Sequence, residues 1–400
     1  MNRQRQGLAT IAVGASDPPP GGWPAGMTPP VFGSVTFELD DDAYDDIART
    51  GGANTWWYTR LRNPTVEAAA AKLAALEGAE RALLFSSGMA AIATTLLALL
   101  PEGGRVVAAR DLYGDVYTLL ANELPRHGRS AEFVAIDDHD GWRRALGLGA
   151  DLLYVETLSN PMLRVADLPA LARMAHEFGA LALADATFTP PSLLRPLELG
   201  FDLVAHSATK FLNGHSDVVA GTVAGSSAML DAIAAEASIL GGCLDPFAAW
   251  MLDRGLKTLV IRTERQTASA LAIAEWLSQQ PEIEHVAHPL LPTHPDHGLA
   301  KALLPGGSAV VSFRVTGGDD RALAMLEALR VIHQATSLGG VETLASAPHN
   351  TSHLALSAAQ RAAAGILPGT IRLSVGLEDV EDLIADIRSA LTETSAAVAR

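Results

Sequence analysis

Apolar and polar positions along this chain follow two periodicities. From Asn63 onward, short apolar runs alternate with stretches in which Ala and Leu recur at helical spacing. The runs "RALLFSSG", "GGRVVAAR", "AEFVAIDD", "ADLLYVET", "ALALADAT" and "FDLVAHSA" predict strands. "PTVEAAAAKLAALEGAE", "MAAIATTLLALL", "YTLLANELPRHG" and "DLPALARMAHEFG" predict helices, the first bounded by a proline near its start and Gly78 at its end. Near-continuous apolar strands with helical connections predict an α/β fold, a mostly parallel sheet covered by helices on both faces. After about Gly255 the pattern changes. "LVIRTERQTASALAIAEWLSQQ" predicts a long amphipathic helix, "GSAVVSFRV" alternates as a half-buried strand, and "DRALAMLEALR" and the tail from Glu381 predict helices. These features predict a smaller α+β domain over 256–400, after a main domain over 61–255. Residues 1–60, rich in Pro, Gly and Asp, read as an extended arm, either disordered or laid on a partner subunit.

Several predicted strands end in small or polar residues: Ser86-Ser87-Gly88, Glu156-Thr157, Asp185-Ala186-Thr187 and Ser207-Ala208-Thr209-Lys210. In open α/β sheets, ligands bind outside the carboxyl ends of the strands, so these tails should converge on one site.

Composition narrows the classes. The chain has 400 residues, 48% of them hydrophobic and 18% charged, enough to bury a large core and too apolar for bulk disorder. A formal net charge of −16 disfavours a nucleic-acid partner. The single cysteine, Cys243, excludes an intrachain disulfide or a multi-cysteine metal site and fits a reducing compartment. The longest apolar stretches fall short of the ~20 residues of a membrane span, and the first residues carry no leader-like apolar run, so a soluble cytoplasmic protein is expected.

Chemistry then gathers at the strand tails. Lys210 stands at the end of an apolar strand, among Ser207, Thr209 and glycines. It reads either as a partly exposed loop lysine or as a Schiff-base lysine whose amine attacks a carbonyl. Gly88 follows a strand and opens a helix, an ordinary turn or a phosphate site built from backbone N–H groups. Asp185 ends "ALALAD" and is a loop hydrogen-bond acceptor or the counter-ion of a protonated ring nitrogen. Tyr113 in "DLYGD" is core or an aromatic plate for a flat cofactor. Arg372 in "TIRLSVG" is an edge-strand arginine or a bidentate clamp for a carboxylate. His288, His294 and His297 in "HPLLPTHPDHG" read as a solvated interdomain loop rather than a metal site. The chain has no GxGxxG after a strand, no nucleotide P-loop and no GxSxG. Lysine, phosphate donors, acid and aromatic plate together specify pyridoxal 5'-phosphate.

The ordered stretches "YTRLRNPTV", "FSSGMAAI", "DLYG", "VETLSNP", "HSATKFLNGHSDVVAG", "RGLKTL", "SLGGVETLAS" and "RLSVGLED" resemble the Cys/Met-metabolism family of pyridoxal-phosphate enzymes, which includes cystathionine γ-synthases, cystathionine γ-lyases, methionine γ-lyases and homoserine sulfhydrylases. The resemblance implies the type I fold of pyridoxal-phosphate transferases, similar to aspartate aminotransferase. It implies that Lys210 binds the cofactor aldehyde and shuttles protons, and that the Gly88 and Met89 amides with Ser207 and Thr209 hold the phosphate. Tyr58 and Arg60 would reach that phosphate from a neighbouring subunit. Asp185 would pair with the ring nitrogen, Tyr113 stack on the ring, and Asn160 contact its hydroxyl side. Arg372, helped by Ser337, would bind the substrate carboxylate. The implied assembly is a homotetramer, a dimer of dimers with shared sites, acting on a small amino acid by γ-elimination or γ-replacement. A β-eliminating C–S lyase, an O-acylhomoserine sulfhydrylase and a cofactor-binding scaffold without turnover are the alternatives.

The pattern also departs from the family. Ala186 replaces the usual Asn after the ring-binding Asp, and Asp115 follows "DLYG" where a small residue or Cys is common. Asp115 is either a solvent-facing acid or a group that recognises a polar or cationic distal part of the substrate. Trp57 and Thr336 stand where cystathionine-handling members often carry Glu, and Trp57 is expected to add bulk at the channel. "SAPHNTSH" differs from the usual stretch, although His353 matches it.

Overall fold

The computed structural model describes residues 6–14, 26–52, 54–352, 354 and 357–398. The six apolar runs form strands β1 (Arg81–Phe85), β2 (Arg105–Ala109), β3 (Ser130–Val134), β4 (Leu152–Glu156), β5 (Leu181–Asp185) and β6 (Leu203–His206). A seventh strand, β7 (Gly221–Gly225), joins them in the order β1-β7-β6-β5-β4-β2-β3. Strands β3, β2, β4, β5 and β6 run parallel, and β7 is antiparallel to both its neighbours. Every residue of β4 is buried, as a strand covered on both faces requires.

β7 has no counterpart among the expected strands, and its composition explains why. It reads "GTVAG", with glycine at both ends. A Cβ at Gly221 would overlap the Ser87 carbonyl, and one at Gly225 would lie 2.7 Å from the Asp202 carbonyl oxygen. Close backbone approach demands glycine here and removes the side chains that mark a strand in a sequence.

Capping fixes where the helices begin. Asn63 Oδ1 accepts the Thr65 and Val66 amides to start helix Pro64–Glu77, which Gly78 closes in a left-handed conformation. Ser87 caps helix Gly88–Leu99 directly after β1, accepting the Ala90 amide at 3.0 Å.

A second sheet contains β8 (Ile283–Ala287), β9 (Val310–Val315), β10 (His333–Gln334), β11 (Leu344–Ser346) and β12 (Thr370–Ser374), in the order β10-β11-β12-β9-β8. Helix Leu259–Leu277 joins the two cores: Leu259 packs with the large sheet's helices, whereas Ile273 and Leu277 pack with Phe313 and Ile371 of the second sheet. The division expected near residue 256 therefore falls just before an element that both cores share.

Four expectations are corrected. The arm is not uniformly extended: it contains helices Leu8–Val13 and Asp41–Thr50, and Leu8, Ile11 and Ala12 pack beside Leu73 and Leu256. β9 is buried except at half-buried Arg314, because it is an inner strand whose Ser312 hydroxyl donates to the Pro161 carbonyl of the large domain at 2.6 Å. Arg372 lies on β12, an inner strand between β11 and β9, so the edge-strand alternative fails. His288 and His294 are buried rather than solvated. His288 Nε2 bonds the Ser308 carbonyl at 3.0 Å, and burial lowers its pKa to about 4. Among the described residues no group of three or more His, Cys, Asp or Glu could hold a metal ion, and no helix is long and apolar enough to cross a membrane.

Candidate active site

The carboxyl ends of β4, β5 and β6 lie side by side, with Glu156 opposite Asp185 and Asp185 opposite Ala205. The tails after them open into a cavity of about 570 Å³, closed on its far side by the 336–338 and 350–352 segments and by Arg372. Gly88, Met89, Tyr113, Asn160, Asp185, Ser207, Thr209, Lys210, Ser337 and Arg372 all line it.

Lys210 sits in the turn that follows β6, its amide bonded to the Ser207 carbonyl at 3.1 Å. Gly339, at φ +81°, lets the 337–340 loop press on that turn, since a Cβ there would lie 2.6 Å from the Phe211 nitrogen. The loop thereby brings Ser337 to Lys210, whose Nζ donates to Ser337 Oγ at 2.6 Å. Burial, and secondly the charge of Arg372, lower the amine's pKa to about 8.

Arg372 is almost fully buried. Its Nη1 donates to Asn160 Oδ1 at 3.1 Å and its Nη2 to the Ser337 carbonyl at 2.8 Å. Its Nε has no protein partner among the described residues. Anchored through both terminal nitrogens, with its Nε–H unpartnered and an N–H left on each Nη, the guanidinium is a rigid fork suited to a carboxylate.

The N-terminus of helix Gly88–Leu99 also lines the cavity. Gly88 approaches Ser207 so closely that a Cβ would come within 2.9 Å of the Ser207 Cβ. The Ser207 amide donates to Thr187 Oγ1 at 2.8 Å. Thr209 also lines the cavity, but its hydroxyl donates to the Ala220 carbonyl at 3.1 Å and accepts the Ala220 amide at 2.9 Å. Amide groups, a helix dipole and a hydroxyl suit a dianion.

The lining also includes an acid and an aromatic ring. Asp185 accepts the Tyr154 hydroxyl at 3.1 Å and the Thr187 amide at 2.9 Å, which fixes its carboxylate toward the cavity wall. Glu156 is buried beside it, and burial together with the Asp185 charge pushes its pKa well above the ordinary carboxylate range. Glu156 Oε1 accepts the Tyr113 amide at 2.6 Å. The Tyr113 phenol donates to Asp115 Oδ2 at 2.7 Å. Burial, then that hydrogen bond, raise the phenol's pKa to about 12.

Three expected site residues lie elsewhere in the chain's own structure. Asp115 is exposed and touches Tyr113 rather than the cavity. Tyr58 and Arg60 do not line it. The Arg60 guanidinium bonds the Ser238 carbonyl, 5.4 Å from the Tyr58 ring centroid, beside a separate groove of about 930 Å³. Trp57, expected at the channel, packs within the arm, where a Cβ on Gly52 would meet its indole Nε1 at 2.6 Å. Thr336 lines the cavity, Ala186 is fully buried, and His353 lies outside the described residues. Glu156 and Thr187 line the site without having been singled out, although both stand in the polar strand tails. Asn350 also lines it, and its stretch has no apolar pattern to mark it.

The donor set fits pyridoxal phosphate: one cavity holds an amine of lowered pKa, a helix N-terminus, a carboxylate and a phenol. Comparisons with known proteins agree. A profile of the family described as "Cys/Met metabolism PLP-dependent enzyme" matches residues 10–392. An O-succinylhomoserine sulfhydrylase of Pseudomonas aeruginosa is 41% identical over 90% of this chain and 88% of its own. An L-methionine gamma-lyase of Pseudomonas putida is 37% identical over 91% of this chain and 92% of its own. The crystal structure of cystathionine gamma synthase from Xanthomonas oryzae pv. oryzae, in complex with aminoacrylate and cysteine, superimposes with a TM-score of 0.90 at 38% identity, covering 98% of this chain and 99% of that one.

Proposed function

Because this chain belongs to the Cys/Met metabolism family of PLP-dependent enzymes, we propose that it catalyses γ-elimination or γ-replacement on a sulfur- or oxygen-substituted amino acid. One observation carries the reading: the Lys210 amine and the Arg372 guanidinium share a cavity and meet at a single residue, Ser337.

Bound pyridoxal phosphate supplies an electron sink for the substrate's α-carbon. The chain supplies position and proton transfer. Arg372 fixes the substrate carboxylate through the fork that Asn160 and Ser337 hold. Lys210 would hold the cofactor through its amine and, when that amine is free, would serve as the base that takes and returns protons at the substrate's carbons. Asp185 would pair with the cofactor's ring nitrogen and favour its protonated form. Gly88, Met89 and Ser207 would hold the phosphate. Tyr113 would cover the ring, and the 350–352 segment, which also lines the cavity, would limit water.

The relatives' names support both outcomes at the γ-carbon: replacement, in which sulfide displaces succinate from O-succinylhomoserine, and elimination, in which methionine loses its thiol. Incubation of the pure protein and pyridoxal phosphate with methionine, cystathionine, homocysteine and O-acylhomoserines, with and without sulfide, separates them. Release of 2-oxobutyrate without a thiol indicates elimination, and homocysteine formed from an O-acylhomoserine and sulfide indicates replacement. No product from any pair contradicts the proposal.

We also propose that sites are shared between subunits of a homotetramer. Tyr58 and Arg60 lie off their own chain's cavity, and Val219 at the cavity mouth, Ile239, Leu240 and Phe247 are exposed apolar groups. These features support a partner covering the mouth.

A further inference from the structure

Tyr113 is held at two points. Its amide is bound by Glu156 from β4, and its phenol by Asp115 two residues on. The second contact is unusual in its chemistry. A phenol that donates its proton to a carboxylate 2.7 Å away directs that proton away from the cavity it lines. Its oxygen lone pairs remain available on the other side. Asp115 itself is exposed, so its second oxygen meets solvent.

We propose that Asp115 is a positioning residue for the reaction proposed above: it fixes the Tyr113 phenol and takes its proton, so that the phenol passes a proton from substrate to solvent without standing as an anion. An amino-acid substrate arrives with an ammonium group, which must lose a proton before its nitrogen can form a bond to a carbonyl carbon. The phenol oxygen accepts that proton as the phenol's own proton moves to Asp115 Oδ2. The amine leaves neutral, the phenol is restored, and Asp115 carries the proton until water removes it. No electrons change hands, and the proton count balances.

The surroundings are consistent with this role. The charged or titratable groups facing the phenol are Asp115 on its own helix, Glu156 on β4 and Arg372 on β12. The 350–352 segment packs on Gly114, where a Cβ would meet the Ser352 carbonyl at 3.1 Å. His349, beside that segment, is paired with Asp319 at 3.3 Å. A phenol raised to about 12 is almost entirely neutral at pH 7, so unaided it would be a scarce base.

Asp115→Asn tests this directly, since an amide oxygen still accepts the phenol's hydrogen bond but cannot take its proton. The first measurement needs no turnover. Tyrosinate absorbance is titrated in the whole protein with pyridoxal phosphate, and Tyr113 is identified among the 5 tyrosines by subtracting Tyr113→Phe. Asp115→Asn should lower the Tyr113 midpoint by about one pH unit or more, because a like charge is gone. The second measurement is kcat/KM against pH. Asp115→Asn should fall about 10- to 100-fold at pH 7 and then rise with pH more steeply than the wild type, and Asp115→Glu should restore part of the loss. An unmoved Tyr113 midpoint overturns the proposal, as does an unchanged pH profile. If the wild type turns over no substrate, the proposed function fails, while the midpoint still reports on the Asp115 contact.

Discussion

Lys210 Nζ donates to the hydroxyl of Ser337 at 2.6 Å, so a loop of the smaller sheet's domain holds the amine of the larger one. Ser337 takes φ +79°, a left-handed conformation that non-glycine residues seldom adopt. Its carbonyl also accepts Arg372. One strained residue thereby sets the amine and the carboxylate clamp relative to each other.

Ser337→Ala removes the amine's hydroxyl partner and keeps the backbone bond to Arg372. Turnover should drop about tenfold, the value of one hydrogen bond to a charged group, with KM changing less. Steady-state kinetics check this, and an equal rise in KM with unchanged kcat would place the hydroxyl on the substrate instead.

The lowered Lys210 pKa has a signed consequence. Only the neutral amine attacks a carbonyl. The rate at which cofactor-free protein captures pyridoxal phosphate should therefore rise about tenfold per pH unit below pH 8 and level off above about 8, rather than climbing toward 10.5. Between about 8 and 10.5 the unfolded chain holds more protons on this lysine than the folded one, so Lys210 contributes rising stability to the cofactor-free protein as pH increases through that window. Stopped-flow absorbance measures the first effect. Urea melts of wild type against Lys210→Met measure the second.

Arg372→Lys keeps the charge and loses the fork. The Asn160 and Ser337 contacts cannot both be retained by one ammonium, and KM for an amino-acid substrate should rise about 10- to 100-fold. Cofactor absorbance should be unaltered, which separates carboxylate binding from loss of the cofactor site.

Gly221→Ala tests how the sheet carries the phosphate end. An added Cβ overlaps the Ser87 carbonyl and must push the start of helix Gly88–Leu99 away from β7. Pyridoxal-phosphate affinity should fall at least about tenfold, with a loss of about 1–3 kcal/mol in stability. Equilibrium dialysis and thermal melts read the two effects.

Much of this architecture was legible because buried parallel strands write themselves as apolar runs, and β4 and β5 are the plainest cases. The polar tails of β5 and β6 brought Asp185 and Lys210 forward as candidates by position. β7 stayed hidden because close packing required glycine where a strand former would have shown. The burial of His288 and the inner place of Arg372 depend on contacts between distant segments, which periodicity does not record. Asp115 read as a solvent-facing acid or a substrate contact, because the direction of its side chain toward Tyr113 is set only by the fold.

The central claim is that position 210 supplies the nitrogen that joins the cofactor. Borohydride reduction of the protein with pyridoxal phosphate, followed by proteolysis and mass spectrometry, tests it most directly. The account predicts one phosphopyridoxyl tag, on the peptide carrying Lys210, absent from Lys210→Ala together with a turnover loss of at least ~10²-fold. A tag on Lys72, Lys257 or Lys301, or none at all, would contradict it.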